Sequence, residues 1–295
     1  MNTFLQHLVQ GVALGSTYAL AALGFSMQFA AMRLVNFAHG ESLMLGAFVA
    51  LALITSRLSF SFAAALLCSI VILGVIGICI ERLAIRSLYG SSDLNMFVGT
   101  IGLSLILRQV GLLIFGADAR PFMRGFGAGS LKIGHVTITV QQVGVLVCAV
   151  ALMGGLEAVL RFTRVGVAMR AVAQDESTAA LMGINTARMK TLVYALSTSL
   201  AAAAGVLFAS STFAVYDMGL LMGIKGFTAA VFGGLGSLPG AMLGGLLLGV
   251  IDQLATAYVS SLYRDTISLT VLILVLLLLP RGLLGLRRGS PWGKV

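Results

Sequence analysis

Apolar stretches separated by short polar ones repeat along the chain, and their lengths predict helices that cross a membrane. The first runs from Leu8 to Met32, the third from Phe62 to Ile80, the fourth from Leu94 to Phe115, the fifth from Gln141 to Leu160 and the sixth from Thr191 to Ser210. Each approaches or exceeds the roughly 20 apolar residues a helix needs to span a bilayer. The second run, Ser42 to Thr55, is short. A Gly-interrupted stretch (219–236), a run from Pro239 to Leu254 and a last one from Ile267 to Leu279 complete the series. The expected fold is an all-α polytopic membrane protein with about eight or nine transmembrane or re-entrant helices, eight if 219–236 is re-entrant. Residues 1–295 read as a single transmembrane domain.

Two polar interruptions are long enough to have structure of their own. The segment from Arg161 to Lys190 carries Arg161, Arg164, Arg170, Arg188 and Lys190 with Asp175 and Glu176. It reads as two or three short helices. Val165, Met169 and Val172 share a face at helical spacing. Asp175 is a good N-cap, with Thr178 three residues on; Gly183 can close that helix in the left-handed conformation, and Thr186 can cap the next. Small residues at Ala168, Ala171, Ala173, Ala179 and Ala180 fit a close protein contact better than a solvated loop. The second interruption, Gly116 to Val140, holds Pro121, several glycines and the alternating LKIGHVTITV from Leu131 to Val140, which predicts a short β-hairpin.

Composition supports the membrane reading. The chain is 59% hydrophobic and only 10% charged, against about 25% charged in soluble domains. Its net charge of +9 comes from basic residues in short loops, as the positive-inside rule requires. No basic stripe interleaved with aromatics points to nucleic acid. No Lys or Arg precedes the first run, so the basic region of a cleavable signal is missing; the first basic residue, Arg33, lies beyond it. This places the N-terminus outside and Arg33 inside. Alternation then puts the 81–93 loop, segment 161–190 and the tail (Arg281, Arg287, Arg288, Lys294) in the cytoplasm, and 116–140 outside. There Arg120, Arg124 and Lys132 run against the charge rule, and read equally as a dock for an acidic partner or as a tolerated exception.

Catalytic chemistry is not expected. The chain has no GxxxxGK[ST], no HExxH and no serine followed by glycine, and His7, His39 and His135 make no metal cluster. Cys68, Cys79 and Cys148, odd in number and without ligand spacing, read as buried free thiols. Asn36-Phe37-Ala38-His39-Gly40-Glu41 supports two readings. One is a loop with Asn36 as turn residue and Glu41 in the first turn of the next helix. The other is a set of polar groups along a pathway, since ionisable groups at membrane depth are expensive; His39 with Glu41 also reads as a proton relay. Thr100, Ser104 and Arg108 fall on one side of the fourth run, and Ser16, Thr17, Asp252 and Gln253 are comparable polar positions. Gly236, Gly240 and Gly244, with Pro239 between them and Gly245 and Gly249 beside them, form a small-xxx-small face for tight helix crossing, open to a helix of a second subunit. Val12–Gly24 aligns with Val193–Gly205, and the same offset pairs Asn36 with Asp217. The two segments run in opposite directions, the signature of an inverted repeat.

The run GVAMRAVAQDESTAALMGINTARMK, together with NFAHGE and GGLGSLPGAMLGGLLLG, resembles the permeases of branched-chain amino acid ABC importers, the LivH-type subunit, over nearly the whole chain. The resemblance implies an all-helical permease of the bacterial inner membrane. It would pair with a LivM-like permease, two cytoplasmic ATPase subunits that bind the ATP, and a periplasmic substrate-binding protein that meets the external excursion. It implies no cofactor on this chain. The implied coupling region matches Arg170 to Asn185, with Arg170, Ala171, Asp175, Ala179, Ala180, Gly183 and Asn185 as the residues facing the ATPase. That region departs from the general importer loop: Gly183 follows Ala179-Ala180 after two residues rather than three, and Ser177 or Thr178 stands where that loop has Glu. Substrate would pass between the permeases, with Ser16, Thr17, Asn36, His39, Glu41, Thr100, Ser104 and Asp217 as pathway residues. The expected function is translocation of branched-chain or related amino acids. The alternatives are the same permease type serving urea, amides or aromatic acids, or a secondary transporter or channel for a small polar solute. A secondary transporter would carry several buried acids, whereas Glu157 and Asp252 lie near the ends of runs.

Overall fold

The computed structural model describes residues 2–33, 35–56, 60–122, 125–127, 129–133, 136–279 and 282–284. Arg124, His135, Arg281, Arg287, Arg288 and Lys294, invoked above, lie outside them, as does the side chain of Lys132. The helices are α1 (Asn2–Met32), α2 (His39–Thr55), α3 (Phe62–Ile80), α4 (Asp93–Phe115), α5 (Val140–Phe162), α6 (Arg164–Gln174), α7 (Glu176–Leu181), α8 (Thr186–Ala209), α9 (Met218–Gly233), α10 (Leu238–Tyr258) and α11 (Arg264–Leu278). A π turn (Glu81–Ile85) and a 3-10 turn (Arg86–Leu88) extend α3. Among the described residues six helices, α1, extended α3, α4, α5, α8 and α10, are long and apolar enough to cross a membrane. The apolar helices α2 and α9 are shorter, as is α11, at 15 residues. The predicted hairpin is present as β1 (Ser130–Ile133) against β2 (Val136–Thr139), antiparallel with Leu131 opposite Ile138.

Polar side chains set where helices begin. Ser61, Ser92, Thr139, Thr163, Asp175, Asn185 and Ser237 each accept from a backbone N–H of the first turn of α3, α4, α5, α6, α7, α8 and α10, which satisfies donors a helix start leaves free. Asn185, not Thr186, caps α8: the Asn185 Oδ1 accepts from Arg188 N at 2.9 Å, and Thr186 is already the first helical residue.

The bundle has two ends. At one, Gln6 exchanges hydrogen bonds with Thr137 of the hairpin, Gln141 donates to Ser210, and Arg120 bridges Ala214. This is the hairpin end. At the other, Tyr89 meets Met32, Arg86 donates to Thr191, and the backbone of Leu283 donates to Phe232. This is the island end, which carries α6 and α7. Successive helices alternate in direction, but α2 and α9 start inside the bundle, where Gly40 packs on Gly219 and Gly223. From there α2 runs to the hairpin end and α9 to the island end, so 219–236 leaves toward the island end rather than turning back. Consequently α1 and α8 run in opposite directions, each followed by a turn and a short helix, α2 or α9, as an inverted repeat requires.

Glycines bring the central helices together. In the apolar window of α1 and of α8, 72% of residues are buried, against 17% for α4, so the first two are central and α4 peripheral. A Cβ on Gly249 would overlap Cα of Gly15, one on Gly245 would overlap Ala19, and one on Gly11 would come within 2.8 Å of Val250 Cα. The backbones of α1 and α10 are therefore in direct contact along a glycine seam. Gly240 and Gly244 pack the same way on Gly233 and Ala229 of α9. This small-residue surface is thus consumed within the chain and is not open to a second subunit. Two of its expected members differ. Gly236 is a turn residue at φ 86° with only ordinary contact to Phe29, and Pro239 is exposed in the first turn of α10, where its missing N–H costs nothing.

The thiols also differ from expectation. Cys79 is exposed, and Cys68 and Cys148 are half-buried, because the apolar outer faces of α3 and α5 meet no other part of the described chain. Arg120 is engaged rather than free, donating to the Phe115 carbonyl at 2.7 Å where α4 ends.

Candidate functional site: polar clusters inside the bundle and a capped segment at one end

The NFAHGE motif is not a solvated loop. Asn36, Ala38, His39 and Glu41 are each no more than 1% exposed. Asn36 makes the turn, its Oδ1 accepting from Ala38 N at 3.1 Å, and its Nδ2 donates to Tyr194 Oη of α8 at 3.0 Å. His39 Nδ1 lies 3.3 Å from both Gln28 Nε2 and Ser197 Oγ, with Phe25 edge-on against its ring. Glu41 faces α4 instead: its Oε1 accepts from Ser104 Oγ at 3.0 Å and Arg108 Nη2 at 3.1 Å. His39 and Glu41 share no hydrogen bond, so a direct proton relay between them is not built.

A buried carboxylate is tolerated here for identifiable reasons. Arg108 neutralises it, and it sits in the first turn of α2 while Gly219, in the first turn of α9, packs on it. Gly40 touches Gly219 and Gly223, so two helix N-termini, each with partial positive charge, bracket one carboxylate. A side chain at either glycine would force them apart. Among the described residues Glu41 Oε2 and His39 Nε2 have no hydrogen-bond partner.

The remaining pathway positions are not gathered around this turn. Thr100 is buried but donates to its own helix at Phe97, and Ser16 does likewise at Ala13. Thr17 donates to Leu14 and lines a separate cleft of about 230 Å³ toward the hairpin end, with Gln10, Gln142, Gln253 and Arg264. Asp217 is the exception: although exposed, it precedes the first turn of α9, whose Gly219 packs on Glu41.

Two further clusters were not assembled from the sequence, although Asp252 was among its polar positions. Asp252, fully buried, accepts from Lys225 Nζ at 2.6 Å, Tyr18 Oη at 2.9 Å, Arg264 Nε at 3.1 Å and Ser268 Oγ. Lys225 also pairs with Asp265 at 2.9 Å, and Arg264 donates to Tyr18. The network joins α1, α9, α10 and α11. At the island end Glu81, also buried, accepts from Thr191 at 2.8 Å, Tyr89 at 3.2 Å and Arg86 at 3.4 Å, joining α3 to α8. The available signals were Lys225 inside an apolar run and Asp252 and Glu81 at or near the ends of two others.

Segment 161–190 folds into two capped helices. On α6 the buried residues are Gly166, Met169, Val172 and Ala173; Gly166 packs on Val159 and Leu160 of α5, and the helix also contacts α1 and α8. Met169 and Val172 of the expected face are thus buried, while Val165, in the first turn of α6, is exposed at 44%. Asp175 Oδ1 accepts from Ser177 Oγ at 2.6 Å and Thr178 N at 3.0 Å. The Ser177 hydroxyl first, and then the Thr178 amide, hold the Asp175 carboxyl down at about 2. Being depressed, its contribution is complete above the ordinary value near 3.8 and fades only as pH falls through about 2. Gly183 closes α7 at φ 82°, and the Ile184 amide returns to the Ala179 carbonyl at 3.1 Å. Lys190 ties this segment down, pairing with Glu176 at 2.6 Å and lying 4.9 Å over the Tyr89 ring.

Of the expected coupling residues, Ala179 is buried and serves packing, Arg170 and Ala171 are half-buried, and Asp175, Ala180, Gly183 and Asn185 are exposed. Leu181 and Met182, not singled out from sequence, are 88% and 81% exposed. They form an apolar tip on a polar segment.

Comparison with known proteins agrees with this architecture. Residues 7–278 match the family described as branched-chain amino acid transport system / permease component. The chain is 38% identical to the high-affinity branched-chain amino acid transport system permease protein LivH of Escherichia coli (strain K12), over 96% of each chain. It is 37% identical to the corresponding permease protein BraD of Pseudomonas aeruginosa, again over 96% of each. It is 29% identical to a probable LivH permease protein of Methanocaldococcus jannaschii, over 90% of this chain and 88% of that one. With its apolar spans and alternating helices, this multi-pass membrane protein belongs to the family of permease components of branched-chain amino acid transport systems.

Proposed function

We propose that this chain is one permease half of an ATP-driven importer for branched-chain or related amino acids, with α6 and α7 as the seat of an ATPase subunit. The observation that carries the reading is the exposed Leu181–Met182 tip, set between a side-chain cap at Asp175 and the left-handed turn at Gly183. Two large apolar side chains in water at a polar turn are costly unless a partner covers them. The tip is also mechanically connected. Glu176 of α7 holds Lys190, Lys190 lies on Tyr89, and Tyr89 donates to Glu81, which binds Thr191. Movement of an ATPase under α7 would reach α3 and α8 together, and through α8 the buried Asn36 and His39.

The island end then faces the cytoplasm, where its excess of arginines belongs, and the hairpin end faces a periplasmic binding protein. A LivM-like permease completes the pathway, and ATP is bound by the two ATPase subunits. The substrate class rests on the names of the relatives. Within the chain, Asn36, His39, Glu41 and Ser104 are the polar groups proposed to border the route, because His39 Nε2 and Glu41 Oε2 keep unused hydrogen-bonding capacity there. An ion-coupled carrier fits less well: the buried carboxylates Glu41, Glu81 and Asp252 each already have a basic partner.

Replacing Leu181 and Met182 together by aspartate is expected to leave insertion and folding intact, since neither packs on the chain. Binding of the ATPase subunits should weaken by about 30-fold or more if the pair anchors the contact. Affinity chromatography of the tagged permease with its ATPases reads this directly, and undiminished co-purification would sink the assignment.

A further inference from the structure

A cavity of about 490 Å³ opens at the island end between the extension of α3 and the start of α8. Ile78 and Leu192 line it on the apolar side, Arg82, Arg86 and Arg188 on the polar side. Arg86 is already engaged with Glu81 and Thr191. Arg82 and Arg188 are exposed, and among the described residues neither side chain has a carboxylate or hydrogen-bond partner. Two guanidinium groups sharing a pocket without a counter-charge favour an oxyanion that can accept from both.

The walls indicate which oxyanion. One turn apart along the outer face of α3, above Arg82, lie Val75, Val71 and Leu67, exposed at 57%, 65% and 62%. From Arg82 to Leu67 this apolar track is about 20 Å long, enough to cross the roughly 15 Å of hydrocarbon in one leaflet. An acidic protein segment would match the arginines but not the track; a lipid matches both.

We propose that this pocket binds the phosphate of an anionic phospholipid, with Arg82 and Arg188 on the headgroup and an acyl chain along Val75, Val71 and Leu67. Basic pockets between transmembrane helices are suited to such headgroups. The bound lipid would bridge the end of α3 and the start of α8, beside the segment that carries α7. The pocket is also lined by Asn185, at the edge of the proposed ATPase seat; the inference itself needs only that α3 faces the bilayer.

Native mass spectrometry of the full-length permease, released from nanodiscs of phosphatidylglycerol or of phosphatidylcholine, tests it. Retained phosphatidylglycerol is expected, with no comparable retention of phosphatidylcholine. Arg82→Gln with Arg188→Gln should weaken retention about 30-fold, and Arg82→Gln alone about fivefold. Arg161→Gln with Arg164→Gln removes the same charge at the same end outside the pocket and should change nothing. Because Arg82 and Arg188 are exposed and unpaired, melting in phosphatidylcholine should match the parent chain. Inorganic phosphate, which offers the oxyanion without the chain, should not displace the lipid. Wild-type retention by the double variant, equal loss in the control pair, or displacement by inorganic phosphate would each overturn the proposal.

Discussion

Asp252→Ala is expected to destabilise the permease by about 3–5 kcal/mol, the usual consequence of leaving buried charge without its partner. The carboxylate is the only group that Lys225, Arg264, Tyr18 and Ser268 all share. Without it, among the described residues, Lys225 (6% exposed) keeps the largely exposed Asp265 and the face of the Tyr18 ring at 5.6 Å, and Arg264 keeps the Tyr18 hydroxyl. The loss is electrostatic rather than steric, so it should depend on the partner. In a Lys225→Met background, Asp252→Leu should cost distinctly less than it does alone, because an apolar pair replaces an ion pair of similar volume. Unfolding in detergent micelles measures all four members of this cycle. Strict additivity would show that the Lys225–Asp252 pair is not coupled.

Gly249→Leu should be at least as damaging, by a different mechanism. The added side chain would enter the backbone of Gly15, where no rotamer change in a neighbour can make room. Overpacking usually costs about 1–3 kcal/mol; separating two helices along a whole seam should exceed that and leave little folded protein. Gly154→Leu is the contrast. Gly154 lies on the exposed face of α5 with nothing within 4 Å of an added Cβ, so the isolated chain should tolerate it or gain about 0.5–1 kcal/mol from helix propensity. Size-exclusion behaviour and melting temperature separate the two. A monodisperse Gly249→Leu protein melting with the parent would mean that α1 and α10 do not meet through these glycines.

These two sites show what could and could not be read from the chain. Spans were legible because length and apolarity alone define them, and the caps at Asp175 and Gly183 because they are local. The seam was half legible. Gly245 and Gly249 announced a close contact, but their partners Gly11 and Gly15 lie more than 200 residues away and carry no mark of the pairing. The same holds for Glu41 with Arg108, and for Tyr18 with Asp252: each residue is visible as polar in an apolar run, while the pairing exists only once the helices pack. Met169 and Val172 of the expected α6 face are buried, and Gly166, which looks like a helix weakness in sequence, is a packing site in three dimensions. Leu181 and Met182 were passed over because apolar residues in an apolar chain attract no notice until their exposure is seen.

The most direct test of the account is leucine uptake into proteoliposomes containing the permease pair and its ATPase subunits, with ATP inside or outside the vesicles and the binding protein present or absent. The account predicts uptake that requires both ATP on the side of α7 and the binding protein on the opposite side, and that is abolished by aspartate at Leu181 and Met182. Uptake by the permease alone, unaffected by ATP or by those substitutions, would contradict it.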